Sequence, residues 1–196
     1  VEPGDRVGLF VPNTLQFPPA YFGAIKAGGV AVPINLRMDP ESMVYVVDNA
    51  EIDVMIASDK VPGGSAEDIA AEAGVSTVML PGGGEEDDVD IVDYDAAVEE
   101  ASAELDRPER GFDDVAVQPY TSGTTGDPKG VLLTHQNLLT TIESYSSGGL
   151  PIDPEDSVLL ILPLFHIFGL NALMGSFLYV GGEMVMQGVP NPTLML

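Results

Sequence analysis

The chain has 196 residues, of which 31 are Asp or Glu and only 7 are Lys or Arg, so its formal net charge is −24. This excess of acid excludes a general nucleic-acid binder and a protein that docks on an anionic membrane, because both need Lys and Arg facing phosphate. No cysteine occurs, which excludes disulfide frameworks, thiolate metal sites and a cysteine nucleophile.

The acid excess has two interpretations. The first is an ordinary acidic cytosolic protein. The second is adaptation to molar salt, where charge repulsion is screened within a few ångströms and a carboxylate-rich surface keeps the protein soluble. The size of the excess on so short a chain favours a halophilic protein.

Apolar and polar residues alternate in a pattern that predicts strands separated by helices. The predicted strands are 7–11, 30–36, 52–57, 75–80, 115–119, 130–133, 158–162 and 183–186. The predicted helices are 18–27, 40–50, 66–73, 93–105, one that begins near 136 and one that ends near 179. Residues 82–92 are rich in Gly, Glu and Asp and predict a flexible acidic loop. This order is typical of βαβ units, so the predicted fold class is α/β with mainly parallel sheets flanked by helices.

The stretch from Ser157 to Gly182 carries no charged side chain and is long enough to span a bilayer. Pro163, His166 and Asn171 lie within it, and no Lys or Arg flanks it to set a membrane orientation. A buried strand, turn and helix therefore fits better than a transmembrane segment.

The loop from Tyr120 to Gly130 is the most informative segment. It follows a predicted strand and contains four Ser or Thr hydroxyls, three glycines and Lys129. Glycines allow a close backbone approach, hydroxyls donate to oxygen atoms, and a lysine supplies a point charge, so such a loop suits a polyphosphate. The pattern is neither a Walker A loop nor G-x-G-x-x-G. On composition alone, a flexible turn between strands is the alternative.

The run Ser-Gly-Thr-Thr-Gly-x-Pro-Lys-Gly, residues 122–130, resembles the phosphate-binding signature of the adenylate-forming (AMP-binding) superfamily. That superfamily includes acyl-CoA synthetases, 4-coumarate–CoA ligases, firefly-type luciferases and peptide-synthetase adenylation domains. Four further segments resemble its motifs in the same order: 4–7 with Pro12-Asn13, 24–29, 32–35 and 162–169.

The resemblance implies an enzyme that activates a carboxylic acid with ATP to an acyl-adenylate and passes the acyl group to a thiol, usually coenzyme A. It implies phosphate contacts from Lys129 and from six consecutive loop residues: Thr121, Ser122, Gly123, Thr124, Thr125 and Gly126. It also implies Mg²⁺ with ATP, contacted by the Thr125 hydroxyl, and His166 as a catalytic residue beside the carboxylate and phosphate. Phe168 would line the acyl pocket with His166.

The same motif bears on the substrate. Adenylation domains that load α-amino acids usually carry Phe-Asp where this chain has Phe165-His166. A buried ammonium without a carboxylate partner is costly, so the sequence predicts an acid with an apolar or aromatic body. A fatty acid is the first expectation, and an aryl or cinnamate-like acid the second. The other histidine, His135, is expected to pack or cap at a helix start.

The chain begins at Val1 and closes on the start of an apparent helix, which predicts a partial N-terminal domain, 1–196, of a longer protein. The later N-terminal subdomain and the C-terminal domain would then be absent, and the isolated piece inactive. Two alternatives stay open: a non-catalytic ATP-binding module, and an unstable fragment that associates through its sheet edge. No signal-peptide pattern is visible, so a cytoplasmic location is expected. The oligomeric state is left open.

Overall fold

A parallel sheet organises the protein. The computed structural model describes residues 1–58, 65–84, 89–121, 126–149 and 151–187. Within them a seven-stranded sheet has the order β5-β4-β3-β1-β2-β6-β9, in which every pair is parallel except the antiparallel pair β6–β9. Its strands are β1 Arg6–Phe10, β2 Val30–Pro33, β3 Ile52–Ala57, β4 Thr77–Leu80, β5 Asp90–Asp93, β6 Val115–Val117 and β9 Leu133–Thr134.

Two small sheets accompany it. β7 Tyr120–Thr121 and β8 Lys129–Gly130 form an antiparallel pair, and β10 Ser157–Leu160 and β11 Glu183–Met186 form a parallel pair. The α-helices are α1 Phe17–Lys26, α2 Pro40–Asn49, α3 Ala66–Ala73, α4 Tyr94–Glu100, α5 His135–Ser144 and α6 Ser176–Val180. A π-helical stretch, Tyr145–Gly149, follows α5, and another, Phe168–Gly175, leads into α6.

Local chemistry explains where several helices begin and end. The Asp39 side chain accepts the Ser42 backbone N–H at 2.9 Å and caps α2, whose first residue is Pro40. Ser65 caps α3 in the same way, and Gly74 ends it at φ +72°, a conformation that glycine adopts without steric cost. These positions confirm the predicted start of α2 and both predicted ends of α3.

The core lies on both faces of the main sheet. One cluster joins β1–β4 to α2 and α3 and includes Phe10, Met43 and Met55, all fully buried. The other joins the opposite face to α1, α5 and the segment after β10, and includes Leu9, Phe17 and Leu164. Helices on both faces are what a largely parallel sheet requires, because both of its faces are apolar.

Several sequence predictions need correction. The strand predicted over 130–133 is divided between two strands, because Lys129–Gly130 pairs with β7 whereas Leu133–Thr134 pairs with β6. The strand predicted over 30–36 ends at Pro33, and the acidic helix predicted over 93–105 is α4, which ends at Glu100. The loop predicted over about 82–92 is not a loop throughout, because Asp90–Asp93 forms β5, which is an edge of the sheet among the described residues. Its middle, 85–88, lies outside the described residues. The sequence missed β5 because its apolar pair stands between two aspartates.

The uncharged stretch 157–182 folds as a strand, a turn and a helical segment. Its polar residues Asn171 and Ser176 are buried in the protein interior. Among the described residues, no helix combines the length and apolar character needed to cross a membrane.

Candidate active site

The two ends of the predicted phosphate loop, β7 and β8, pair as an antiparallel hairpin just after β6. Tyr120 pairs with Gly130 and Thr121 pairs with Lys129, so the two strands hold both ends of the loop together. The Thr121 hydroxyl donates to the Lys129 carbonyl at 3.4 Å, and both residues are exposed. Gly126, also exposed, has φ +115°, a backbone conformation that favours glycine. The structure thus brings Thr121 and Lys129 side by side, with both residues exposed.

The other four predicted phosphate contacts are Ser122, Gly123, Thr124 and Thr125. They lie outside the described residues, so their roles stay predictions. No group of three or more His, Asp or Glu side chains suited to a metal ion occurs among the residues that the structure describes.

A series of hydrogen bonds between polar side chains connects the hairpin to the main sheet and to α2. The Tyr120 hydroxyl donates to Asn49 Oδ1 at 2.7 Å and accepts from Gln118 Nε2 at 3.1 Å. Arg6 Nε in turn donates to Gln118 Oε1 at 3.4 Å. Partial burial raises the pKa of the Tyr120 phenol above its ordinary value, which keeps it protonated and able to donate to Asn49. The hairpin is thereby tied to α2 and to β1.

Gly130, in β8, lies against the Gln118 and Tyr120 side chains. A Cβ atom at this position would lie 2.6 Å from Gln118 Nε2 and 3.1 Å from the Tyr120 ring. Such distances are well inside van der Waals contact, so a larger residue at this position would displace the Gln118 side chain from its hydrogen bond to Tyr120.

The second predicted motif carries His166 in a turn after β10. The His166 backbone N–H donates to the Pro163 carbonyl at 3.0 Å, and its Nδ1 accepts the Phe168 N–H at 3.3 Å. The hydrogen bond at Nδ1 places the proton of the neutral ring on Nε2. The His166 side chain is exposed, which leaves Nε2 as the ring nitrogen that can meet a ligand.

Phe168 lines an apolar cavity of about 190 Å³. Phe168 is 42% exposed. Its ring meets the Tyr145 ring edge-on, with the two ring centroids 6.1 Å apart. The remaining lining comes from β9, α5 and the helical segment after His166: Leu133, Asn137, Leu138, Thr141, Ile167, Asn171 and Ala172. No charged side chain is among these residues.

The hairpin and the His166 turn lie at the same end of the sheet, outside the carboxyl ends of its parallel strands. β1, β2 and β6 are parallel neighbours, so their carboxyl ends lie on the same side, about 10 Å apart from β1 to β6 at ordinary strand spacing. Gln118 follows β6 and leads to the hairpin, while Asn13, just beyond β1, bonds to the segment before His166. Ligands of open α/β sheets bind outside the carboxyl ends of the strands, and both predicted motifs lie there.

His135 lies away from this arrangement. It is the first residue of α5, and the cap itself is Thr134, which exchanges hydrogen bonds with Asn137 in a capping box. Burial lowers the pKa of His135, with the nearby Arg110 adding to the effect. The expectation that His135 packs at a helix start is met, and its capping role is replaced by that of Thr134.

Asn13 and Gln118 are the polar contacts that the sequence did not single out as site residues. Both are buried and both follow apolar strands at the carboxyl edge of the sheet. A polar residue just past a buried strand is a signal that could have found them.

Comparison with known proteins finds similarity to one enzyme family and to CoA ligases. The family model described as "AMP-binding enzyme" matches residues 1–195. A long-chain-fatty-acid–CoA ligase of Mycobacterium tuberculosis, FadD13, is 34% identical over 180 residues, covering 90% of this chain and 33% of that protein. 4-coumarate–CoA ligase 1 of Petroselinum crispum is 30% identical over 190 residues, covering 92% of this chain and 33% of that protein.

The fold comparison agrees. The inhibitor-bound crystal structure of the N-terminal domain of FACL13 from Mycobacterium tuberculosis matches with a TM-score of 0.84 and 27% identity. The match covers 100% of this chain and 47% of that one. The chain spans about a third of the length of the curated relatives it matches.

Proposed function

The chain belongs to the AMP-binding enzyme family, and from that premise we propose that it forms part of an acid–thiol ligase. In this proposal the intact protein converts a carboxylic acid, ATP and coenzyme A into an acyl-CoA, AMP and pyrophosphate. The observation that carries the proposal is the exposed hairpin that pairs Thr121 with Lys129 at the edge of the sheet that also holds His166.

The first step is attack of the substrate carboxylate on the α-phosphorus of ATP. The new acyl–phosphate bond forms as the bond to pyrophosphate breaks, so negative charge grows on the leaving group. Lys129 is suited to hold that charge, because it is exposed beside Thr121 and its ammonium group supplies a positive point charge. His166 Nε2 would face the carboxylate and phosphate of the adenylate. In the second step the thiol of coenzyme A attacks the acyl carbonyl and AMP leaves.

Mg²⁺ is proposed only as the companion of ATP, to neutralise charge on its phosphates. Thr125, the residue proposed to contact it, lies outside the described residues. A cytoplasmic location and a halophilic source belong to the same proposal and rest on the sequence alone.

The cavity beside Phe168 supports a substrate with an apolar body. No charged side chain is among the described residues that line it, so the ammonium group of an α-amino acid would be desolvated there without a partner. A fatty acid is the first proposal. The edge-to-face pair of Tyr145 and Phe168 supports an aryl acid as the second, because a substrate ring could join that arrangement.

The test is ATP–pyrophosphate exchange by the intact protein in molar KCl, with fatty, aryl and α-amino acids offered in turn. Exchange with fatty or aryl acids supports the proposal. Exchange confined to amino acids would overturn the substrate assignment, and none with any acid would overturn adenylation. The isolated 196-residue chain, run beside it, is expected to be silent. ATP retained by that silent chain would instead favour a binding module.

A lysine pair provides a matched control. Lys129→Gln should abolish most of the exchange, whereas Lys26→Gln should leave it unchanged. Lys26 ends α1, and a helix that connects two parallel strands ends at their amino edge, opposite the hairpin. Equal loss in both variants would mean that overall charge, not the hairpin, sets the rate.

A further inference from the structure

Asn13 is a buried polar residue with an unusual set of partners. It is 8% exposed and lies three residues beyond the end of β1. Its Nδ2 donates to the Leu162 carbonyl at 2.8 Å and more distantly to the Leu160 carbonyl at 3.5 Å, and its Oδ1 accepts the Leu164 backbone N–H at 2.9 Å. Both ends of one carboxamide thus bind a single segment about 150 residues further along the chain.

The Asn13 carboxamide takes the place of a neighbouring strand. β10 pairs with β11 only as far as Leu160, so the backbone that follows has left its strand partner. Pro163, in the middle of this segment, has no N–H to donate. By donating to residue 162 and accepting from residue 164, Asn13 makes the two bonds that a strand residue makes to partners two positions apart.

The segment held by Asn13 is the support of the His166 turn. Its Pro163 carbonyl accepts the His166 N–H at 3.0 Å. The helical segment that starts at Phe168 packs on the same carbonyls, since a Cβ atom on Gly169 would lie 2.7 Å from the Pro163 oxygen. A shift of residues 162–164 is therefore passed on to the imidazole and to the wall of the apolar cavity.

We propose that Asn13 is a positioning residue for the adenylation step: it fixes the Leu162–Leu164 backbone and thereby the place of His166. This role rests on the proposed function. Asn13 touches neither acid nor nucleotide in this scheme and acts through the turn alone.

Asn13→Leu in the intact protein removes all the side-chain hydrogen bonds of Asn13 to this segment at similar side-chain volume. Val78→Ala is the control for a general loss of stability, because Val78 is fully buried in β4, two strands away from β1. Hydrogen exchange of 162–170, read by mass spectrometry, should accelerate in Asn13→Leu and stay at the wild-type rate in Val78→Ala.

The kinetic test is ATP–pyrophosphate exchange. Asn13→Leu should lower kcat by about 100-fold, the scale expected for a small misplacement of a reacting group, with the KM for ATP unchanged. In a His166→Ala background, Asn13→Leu should cause no further loss, because the two residues act through one contact. Val78→Ala should leave kcat as it is in both backgrounds.

The outcomes separate the two hypotheses. An active wild type whose Asn13→Leu variant behaves like Val78→Ala in both measurements overturns the positioning role alone. A wild type that is inactive with every acid overturns the proposed function and the catalytic part of this inference. Faster hydrogen exchange of 162–170 in Asn13→Leu would then still show that Asn13 fixes the backbone of residues 162–164. Independent losses from Asn13→Leu and His166→Ala would overturn the coupling between them.

Discussion

Replacing Gly169 with alanine should destabilise the turn that carries His166. The new Cβ atom would lie 2.7 Å from the Pro163 oxygen and 3.1 Å from the Leu162 oxygen, against ordinary contacts that begin near 3.4 Å. Both obstacles are backbone atoms, which cannot rotate away as a side chain can. Overpacking of this kind costs about 1–3 kcal/mol, and the better helix propensity of alanine returns about 0.5–1 kcal/mol. A net loss of about 1–2 kcal/mol lowers the melting temperature by about 3–6 °C in a domain of this size.

Gly23→Ala is the matched control. Gly23 also lies within a helix, α1, but a Cβ atom there would meet nothing within 4 Å. That variant should gain about 0.5–1 kcal/mol. Thermal unfolding followed by circular dichroism should therefore move in opposite directions for the two variants. A Gly169→Ala protein that melts at or above the wild-type temperature would refute the close packing of the helix on the Leu162–Pro163 carbonyls.

Four further predictions use other parts of the molecule. Lys129→Met should slow ATP–pyrophosphate exchange by about 10–100-fold, the value of one charged hydrogen bond, with thermal unfolding unchanged because the side chain is exposed. Thr134→Ala should cost about 1 kcal/mol in urea unfolding, and Thr134→Ser much less, because serine keeps the cap of α5. The hydrogen bonds that Ser42 donates lower the pKa of Asp39 in the folded protein. The stability they provide is therefore present above the unfolded pKa of about 4 and is lost as pH falls through the lower folded pKa. The melting temperature of Asp39→Asn should accordingly differ from that of the wild type in its pH dependence only below about pH 4. Dialysis from molar to 0.1 M KCl should reduce the helical circular dichroism signal, and an unchanged spectrum would contradict salt adaptation.

Elements with local signals were predictable from the sequence. β3 and α3 have the predicted bounds, Ile52–Ala57 and Ala66–Ala73. The signal for β3 is its own run of β-branched apolar residues, and the signal for the end of α3 is the glycine that directly follows it. The mainly parallel sheet follows from the same alternation, and the structure confirms it. β5 was not predictable in this way, since Asp90–Asp93 becomes a strand only by pairing with β4.

The site was predictable in part for a similar reason. The hairpin and the His166 turn are contiguous motifs, so their residues could be named from the sequence. The contacts that support them join distant residues: Tyr120 to Asn49, and Asn13 to Leu162 and Leu164. Spacing along the chain carries no signal for a carboxamide that replaces a strand partner, because its partners are set by the folded topology.

The composition of β5 bears on how the protein behaves at high concentration. An edge strand offers unpaired backbone groups to any strand of another molecule, and charged residues are a common defence against such pairing. β5 is an edge of the sheet among the described residues, and its apolar pair Ile91-Val92 stands between Asp90 and Asp93, so a second copy that paired there would bring carboxylates close to carboxylates. Asp93 is already engaged, since its carboxylate accepts the backbone N–H groups of Asp95 and Ala96 at the start of α4. Asp93 thus caps a helix and also opposes the pairing of β5 with a strand of another molecule. Molar salt screens its charge, so it would weaken the opposition to pairing while leaving the helix cap intact.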